Sequence, residues 1–121
     1  MKYILLIYHD EKRWQEISED ERQQMYADYR KLRERLLSAG QYLDGSQLQP
    51  TSTASSIRIR EQTDLITDGP FAETHEQLGG FFLVDVNSAA EAIAIAKQIP
   101  SVRMGTVEVR ALVERAAEAN A

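Results

Sequence analysis

The chain has 121 residues, of which 43% are hydrophobic and 27% charged, with six glycines and three prolines. This composition is typical of one globular domain, and it excludes disordered, collagen-like and low-complexity proteins. The net charge of −5 and the lack of a basic run make nucleic acids and anionic membranes poor partners. The absence of cysteine excludes disulfide scaffolds, thiolate metal sites and cysteine nucleophiles, and two histidines are few for a histidine-built metal centre.

The first apolar segment predicts a strand and not an export signal. The run from Tyr3 to Tyr8 is stopped by charged residues, so it is shorter than the about 7–15 residues of a secretory hydrophobic region. No stretch approaches the about 20 apolar residues of a membrane span. We therefore expect a cytoplasmic protein whose first strand is apolar on both faces and must be covered on both.

A long helix is predicted next, over residues 18–39. Ser18 and Glu21 form a capping-box pattern, and Gly40 is a helix stop. The apolar residues between them recur at spacings of four, three and four, which places them on one helical face: Met25, Tyr29, Leu32 and Leu36.

A second helix is predicted after residue 88. Ser88 and Glu91 repeat the capping-box pattern, and the helix ends before Pro100. We expect its buried face to carry Ile93, Ala96 and Ile99.

Alternation and short apolar runs predict five further strands, at 41–49, 56–60, 64–67, 81–86 and 106–113. The second and third of these five form a hairpin. Without the hairpin, the order is strand–helix–strand twice, which predicts an α+β, ferredoxin-like βαββαβ fold with an inserted β-hairpin. We expect one domain over residues 1–114 and a flexible C-terminal tail over 115–121.

The two helices are long enough to cover one face of such a sheet. The first and middle strands still offer apolar residues to the other face, and a second copy of the chain is the simplest cover for it. The sequence therefore predicts a homodimer.

Candidate catalytic residues lie in the irregular centre of the chain, residues 68–78. Asp68 precedes a Gly-Pro bend, and two interpretations stay open: it organises the bend through nearby amides, or it is a general acid or base at an apolar cavity. Glu73 and His75 follow, and an imidazole near carboxylates forms a plausible proton-transfer pair. The predicted site is thus Asp68, His75 and Glu73, with no metal and no cofactor.

Other interpretations of nearby residues compete with this site. Thr74 with Gln77 fits a helix N-terminus, which would leave His75 on the surface. We expect Phe71 to fill an apolar pocket, and His9, beside a charged loop, to be an exposed polar residue. A metal site from His9, His75 and acids lacks any i, i+4 ligand spacing.

The segment 67–81, TDGPFAETHEQLGGF, resembles the DGPF signature of the YCII-related proteins. The resemblance extends to residues 1–8, to Asp85 and Val86, and to 105–110, so it covers about residues 1–114. It implies a ferredoxin-like subunit that forms a dimeric α/β barrel. Two departures concern the site: the helix over 18–39 lacks the histidine of the proposed YciI-branch dyad, and His75 stands where lysine is usual.

The wider superfamily is similar to small enzymes without organic cofactors, such as lactone isomerases, a chloro-lactone dehalogenase and metal-free monooxygenases. The resemblance thus implies an enzyme doing acid/base chemistry of the isomerase, lyase or dehalogenase type on a small organic acid or lactone. The alternative is a non-catalytic ligand-binding or regulatory module linked to an extracytoplasmic-type sigma factor, because some DGPF proteins are found beside such factors.

Overall fold

The computed structural model describes residues 1–114, so the tail predicted at 115–121 lies outside the described residues. Four strands form one antiparallel sheet in the order β2-β5-β1-β6, and β3 and β4 form a separate hairpin. This is the predicted ferredoxin-like α+β fold with an inserted hairpin. The elements are β1 (Lys2–His9), α1 (Glu11–Glu16), α2 (Glu19–Ser38), β2 (Tyr42–Gln47), β3 (Ser55–Arg60), β4 (Thr63–Asp68), β5 (Gln77–Asp85), α3 (Ala89–Ala96) and β6 (Thr106–Ala111).

The central strand β1 pairs with β5 on one side and with β6 on the other. Leu5 is fully buried and lies opposite Phe82 and Val109. Alternate residues of β1 and β5 point to the helices and form the core with them. The buried core residues are Tyr3, Leu5, Ile7, Leu32, Leu36, Phe82, Val84, Val86, Ala92, Ile95, Ala96 and Ile99.

The helix α2 begins and ends as predicted. The Ser18 hydroxyl accepts a hydrogen bond from the amide of Glu21 at 3.1 Å. At the other end, the amides of Gly40 and Gln41 donate to the carbonyls of Leu37 and Leu36, and Gly40 has φ of +70°. These contacts satisfy backbone groups that every helix end leaves unpaired.

The helix α3 also has its predicted cap, since the Ser88 hydroxyl accepts from the amide of Glu91 at 3.2 Å. Its predicted face was partly wrong, because Ile93 is 46% exposed. Ala96 and Ile99 are buried as expected, and Ala92 and Ile95 are buried in place of Ile93.

The hairpin β3–β4 is apolar on a side that nothing in residues 1–114 buries. Ile57 lies opposite Ile66, and Ile59 shares their face. All three side chains are more than 60% exposed. The tight turn between the strands has positive φ at Glu61 and Gln62, as a two-residue type I′ turn requires.

None of the helices within residues 1–114 combines the length and the hydropathy needed to cross a membrane.

Candidate functional site

A cavity of about 250 Å³ lies between α2 and the helix-facing side of the sheet. Ile7 and Phe82 form the apolar part of its floor. The strands β2 and β5 contribute Gly45, Gly79 and Gly80, which have no side chains to fill the space. A Cβ at any of these three positions would collide with neighbouring protein atoms, so glycine is required in this part of the lining.

One stripe of α2 forms the wall of the cavity. Tyr26, Tyr29, Arg30 and Arg33 line it, and their spacing of three, one and three places them on a single helical face. The lining residues include no aspartate and no glutamate. Among residues 1–114, neither arginine of the stripe forms a salt bridge, so the wall carries uncompensated positive charge.

His9, at the end of β1, is the titratable base in this lining. Its side chain is half-buried and packs directly on Gly79, where any Cβ would collide with the imidazole ring. The β1–β5 register shifts between Ile7 and Tyr8, next to that glycine. The Gly79-Gly80 pair thus makes room for His9 on the helix side of the sheet.

Burial lowers the pKa of the His9 imidazole below its ordinary value. The carboxylates of Glu11, Glu76 and Asp10 act in the opposite direction but more weakly. The ring is consequently neutral near pH 7, which is the form that accepts a proton.

The short helix α1 covers one end of the cavity with Trp14. The Trp14 ring centroid lies 5.8 Å from that of His9 and 5.8 Å from that of Tyr26. The Arg22 guanidinium lies over the indole at 5.3 Å and donates to the Trp14 carbonyl at 2.9 Å. A second contact of α1 is made by the Glu11 carboxylate, which accepts hydrogen bonds from the backbone amide and the hydroxyl of Thr51 at 2.8 and 3.0 Å.

The hydroxyls of Tyr29 and Ser101 lie at the buried part of the lining, 2.6 Å apart. Ser101 is only 6% exposed. Burial raises the pKa of Tyr29 more than its hydrogen bonds with the side chain and the backbone of Ser101 lower it. Both groups are therefore neutral hydroxyls near pH 7. The rings of Tyr29 and Tyr42 meet that of Phe82 edge-on at 6.0 and 5.8 Å.

Comparison with known proteins agrees with this fold. Residues 1–116 match the sequence profile of the YCII-related domain. The chain belongs to the YCII-related family. It is 34% identical over 114 residues to an uncharacterised protein of Rhizobium meliloti (strain 1021), a match that covers 93% of this chain and 92% of that protein.

The three predicted catalytic residues of this YCII-related chain lie elsewhere. Asp68 ends β4 opposite Ser55, and Glu73 and His75 follow in the irregular segment before β5. All three side chains are exposed, and none lines the cavity. No group of three or more metal-ligating side chains occurs in the described part of the chain. A catalytic role for these three residues stays a prediction.

Three interpretations from the sequence were wrong. Phe71 fills no pocket in residues 1–114, because it is 77% exposed. Thr74 and Gln77 do not begin a helix: the Gln77 side chain donates to the Thr74 carbonyl at 2.6 Å, and Gln77 begins β5. His9 is half-buried and not an exposed polar residue.

The cavity residues carried a weak signal in the sequence. Tyr26, Arg30 and Arg33 lie beside the apolar stripe of α2, where long polar side chains are common on any surface helix. The approach of His9 to Gly79 joins residues 70 positions apart, so no local pattern could predict it.

Proposed function

We propose that this protein transfers a proton to or from a small organic molecule held in the cavity, with His9 as the base. The observation that supports this is a neutral, half-buried imidazole in a lining that has no carboxylate. A ligand C–H or O–H next to a carbonyl group would lose its proton to the imidazole, and the imidazolium would return it at another atom. Such chemistry suits an isomerase or lyase acting on a small organic acid or lactone.

The sequence-based site offers the competing assignment, with Asp68 as the acid or base and His75 or Glu73 assisting. In a single chain these groups are exposed and none of them lines the cavity, so they would not contact a ligand held there. His9 is therefore the preferred base, and the two assignments make opposite predictions for single variants.

The test is hydrogen–deuterium exchange at the carbon next to the carbonyl group, followed by proton NMR in deuterium oxide for a panel of small lactones and keto acids. We expect the wild type to exchange one or more panel members and His9→Gln to lose this activity. The rate should fall as pH drops through the His9 pKa, below about 6.5, because a protonated imidazole accepts no proton.

The matched control is His75→Gln, which removes the other histidine, together with Asp68→Asn. Both should keep the exchange. If Asp68→Asn loses the exchange activity and His9→Gln keeps it, the catalytic site lies in the segment 68–78 and not in the cavity. An absence of exchange across the panel would refute the enzymatic proposal and favour the ligand-binding or regulatory alternative.

We further propose that two copies pair through the open face of the sheet, as expected for a dimeric α/β barrel. The cross-strand pairs Ile4–Leu83 and Leu6–Phe81 lie on the face opposite α2 and α3, and all four side chains are only partly buried. An apolar face of this kind is complementary to itself across a two-fold axis.

Sedimentation equilibrium checks the pairing. We expect the wild type to have twice the mass of one chain, and Leu6→Glu to sediment as a monomer, because it places a charge in the centre of the apolar face. Ile93→Glu, on the outer side of α3, is the matched control and should stay dimeric. A monomeric wild type at high concentration would refute the pairing.

A further inference from the structure

The cavity has two polar ends of different chemistry. Arg30 and Arg33 are exposed and therefore lie at its opening. Ser101 and Tyr29 lie at its buried end. Most of the remaining side chains of the lining are aromatic or apolar, and the polar ones among them are His9, Ser46 and Gln47.

The open end is suited to a carboxylate. The two guanidiniums are one turn apart on α2, and a guanidinium presents paired N–H donors that match the two oxygens of a carboxylate. No acidic side chain in the lining competes for these donors. A neutral ligand would form no ion pair with either guanidinium.

The buried end is suited to an acceptor oxygen. Either hydroxyl of the Tyr29–Ser101 pair can donate in their 2.6 Å contact, but only one of the two protons is used there. The other proton is left to donate, because the further hydrogen bond from the Ser101 backbone amide to the Tyr29 oxygen uses neither hydroxyl proton. A carbonyl or enolate oxygen of a ligand would accept it.

The volume and shape restrict the ligand between these ends. About 250 Å³ is just below the about 300–1,000 Å³ of pockets for drug-sized ligands. Five aromatic side chains line the cavity, and the face of an aromatic ring packs well against a planar group. A small planar body would fit against them.

We propose that the cavity binds a small, flat organic acid that carries a second, carbonyl-type oxygen at the end opposite its carboxylate. Arg30 and Arg33 hold the carboxylate, and the Tyr29–Ser101 pair donates to the second oxygen. This inference rests on the proposed function, since it names the substrate class for the same cavity.

The probe is 4-acetylbenzoate, which has a carboxylate and a ketone at opposite ends of a ring. Two analogues change one end each: 4-acetylbenzamide lacks the charge, and 4-isopropylbenzoate lacks the acceptor oxygen. The chain has one tryptophan, so the single indole N–H signal of Trp14 in a proton–nitrogen NMR spectrum reports binding from within the cavity. We expect 4-acetylbenzoate to bind about tenfold more tightly than either analogue.

Variants assign each preference to its end of the cavity. Arg30→Gln/Arg33→Gln should abolish the preference for acid over amide and keep that for acetyl over isopropyl. The control double variant Lys31→Gln/Lys97→Gln removes two positive charges outside the cavity and should change neither of the two preferences. Tyr29→Phe/Ser101→Ala should abolish only the acetyl preference, and both hydroxyls are removed because either one alone can still donate.

The remaining spectrum shows whether each variant is folded. Equal binding of acid and amide to the wild type, or no shift of the Trp14 signal with any probe, would overturn the proposal. Because binding is measured without turnover, a protein that binds the probe but performs no exchange would contradict the role of His9 and leave the ligand class standing.

Discussion

Replacing Leu32 by alanine is expected to lower the free energy of unfolding by about 2–5 kcal/mol. Leu32 is 2% exposed and packs in the core between α2 and the sheet. Truncation removes buried methyl groups and leaves a cavity that the surrounding strands can close only in part. Urea unfolding followed by circular dichroism at one fixed protein concentration measures the loss.

Leu37→Ala is the matched control, because it makes the same truncation on the same helix at a side chain that is 55% exposed. We expect it to change stability by no more than about 0.5 kcal/mol. Similar losses in both variants would mean that α2 is buried on a second side, for example by a partner, and would contradict the orientation of its apolar stripe.

That stripe shows why much of the fold could be predicted. Met25, Leu32 and Leu36 repeat with the period of a helix, and Ser18 and Gly40 are standard residues for its ends. Such signals are local, so they are visible in a sequence without knowledge of neighbours. The same holds for the two apolar strands and for the hairpin, whose alternation is complete within a few residues.

The helix α1 could not be predicted in this way. It has six residues, none of them buried, and therefore has no apolar face to reveal its period. A helix this short is unstable by itself. Its stability comes from distant contacts: Thr51 donates to Glu11, and the Gln77 side chain accepts from the Glu11 amide at 3.0 Å.

The cavity could not be predicted for a related reason. Asp68, Glu73 and His75 are close in sequence, so their proximity could be inferred without a fold. The cavity instead brings together the end of β1, one face of α2 and the glycines of β2 and β5. A search for residues that are close in sequence finds groups on a single loop. This cavity is formed instead by elements that only the strand order of the sheet makes adjacent.

Gly105→Ala is expected to destabilise the protein by about 1–3 kcal/mol or more. A Cβ at this position would overlap the carbonyl oxygen of Tyr8 and would lie 3.1 Å from the Cα of His9. Both are backbone atoms of β1, which is fixed by its pairing with β5 and β6, so they cannot move without breaking strand contacts. Urea unfolding measures this loss under the conditions used for Leu32→Ala.

The matched variant is Gly79→Ala, in which the added methyl group meets a side chain, the His9 imidazole, that can rotate away. We expect a smaller loss of stability than in Gly105→Ala, and a displaced, more exposed ring. Since burial is what lowers the His9 pKa, this pKa should rise toward its ordinary value, as measured by NMR titration in a His75→Gln background. An unchanged His9 pKa in Gly79→Ala would show that the ring does not depend on that glycine.

The lowered pKa of His9 also makes the stability of the protein depend on pH. The folded-state pKa of His9 lies below the unfolded value of about 6.5, so the unfolded chain binds more protons just below that pH. This group's contribution to stability is therefore complete above about pH 6.5 and is lost as pH falls toward the folded-state pKa. Exposing the ring in Gly79→Ala should reduce that loss, and stability measured at pH 7.5 and pH 5.5 in both proteins gives the comparison.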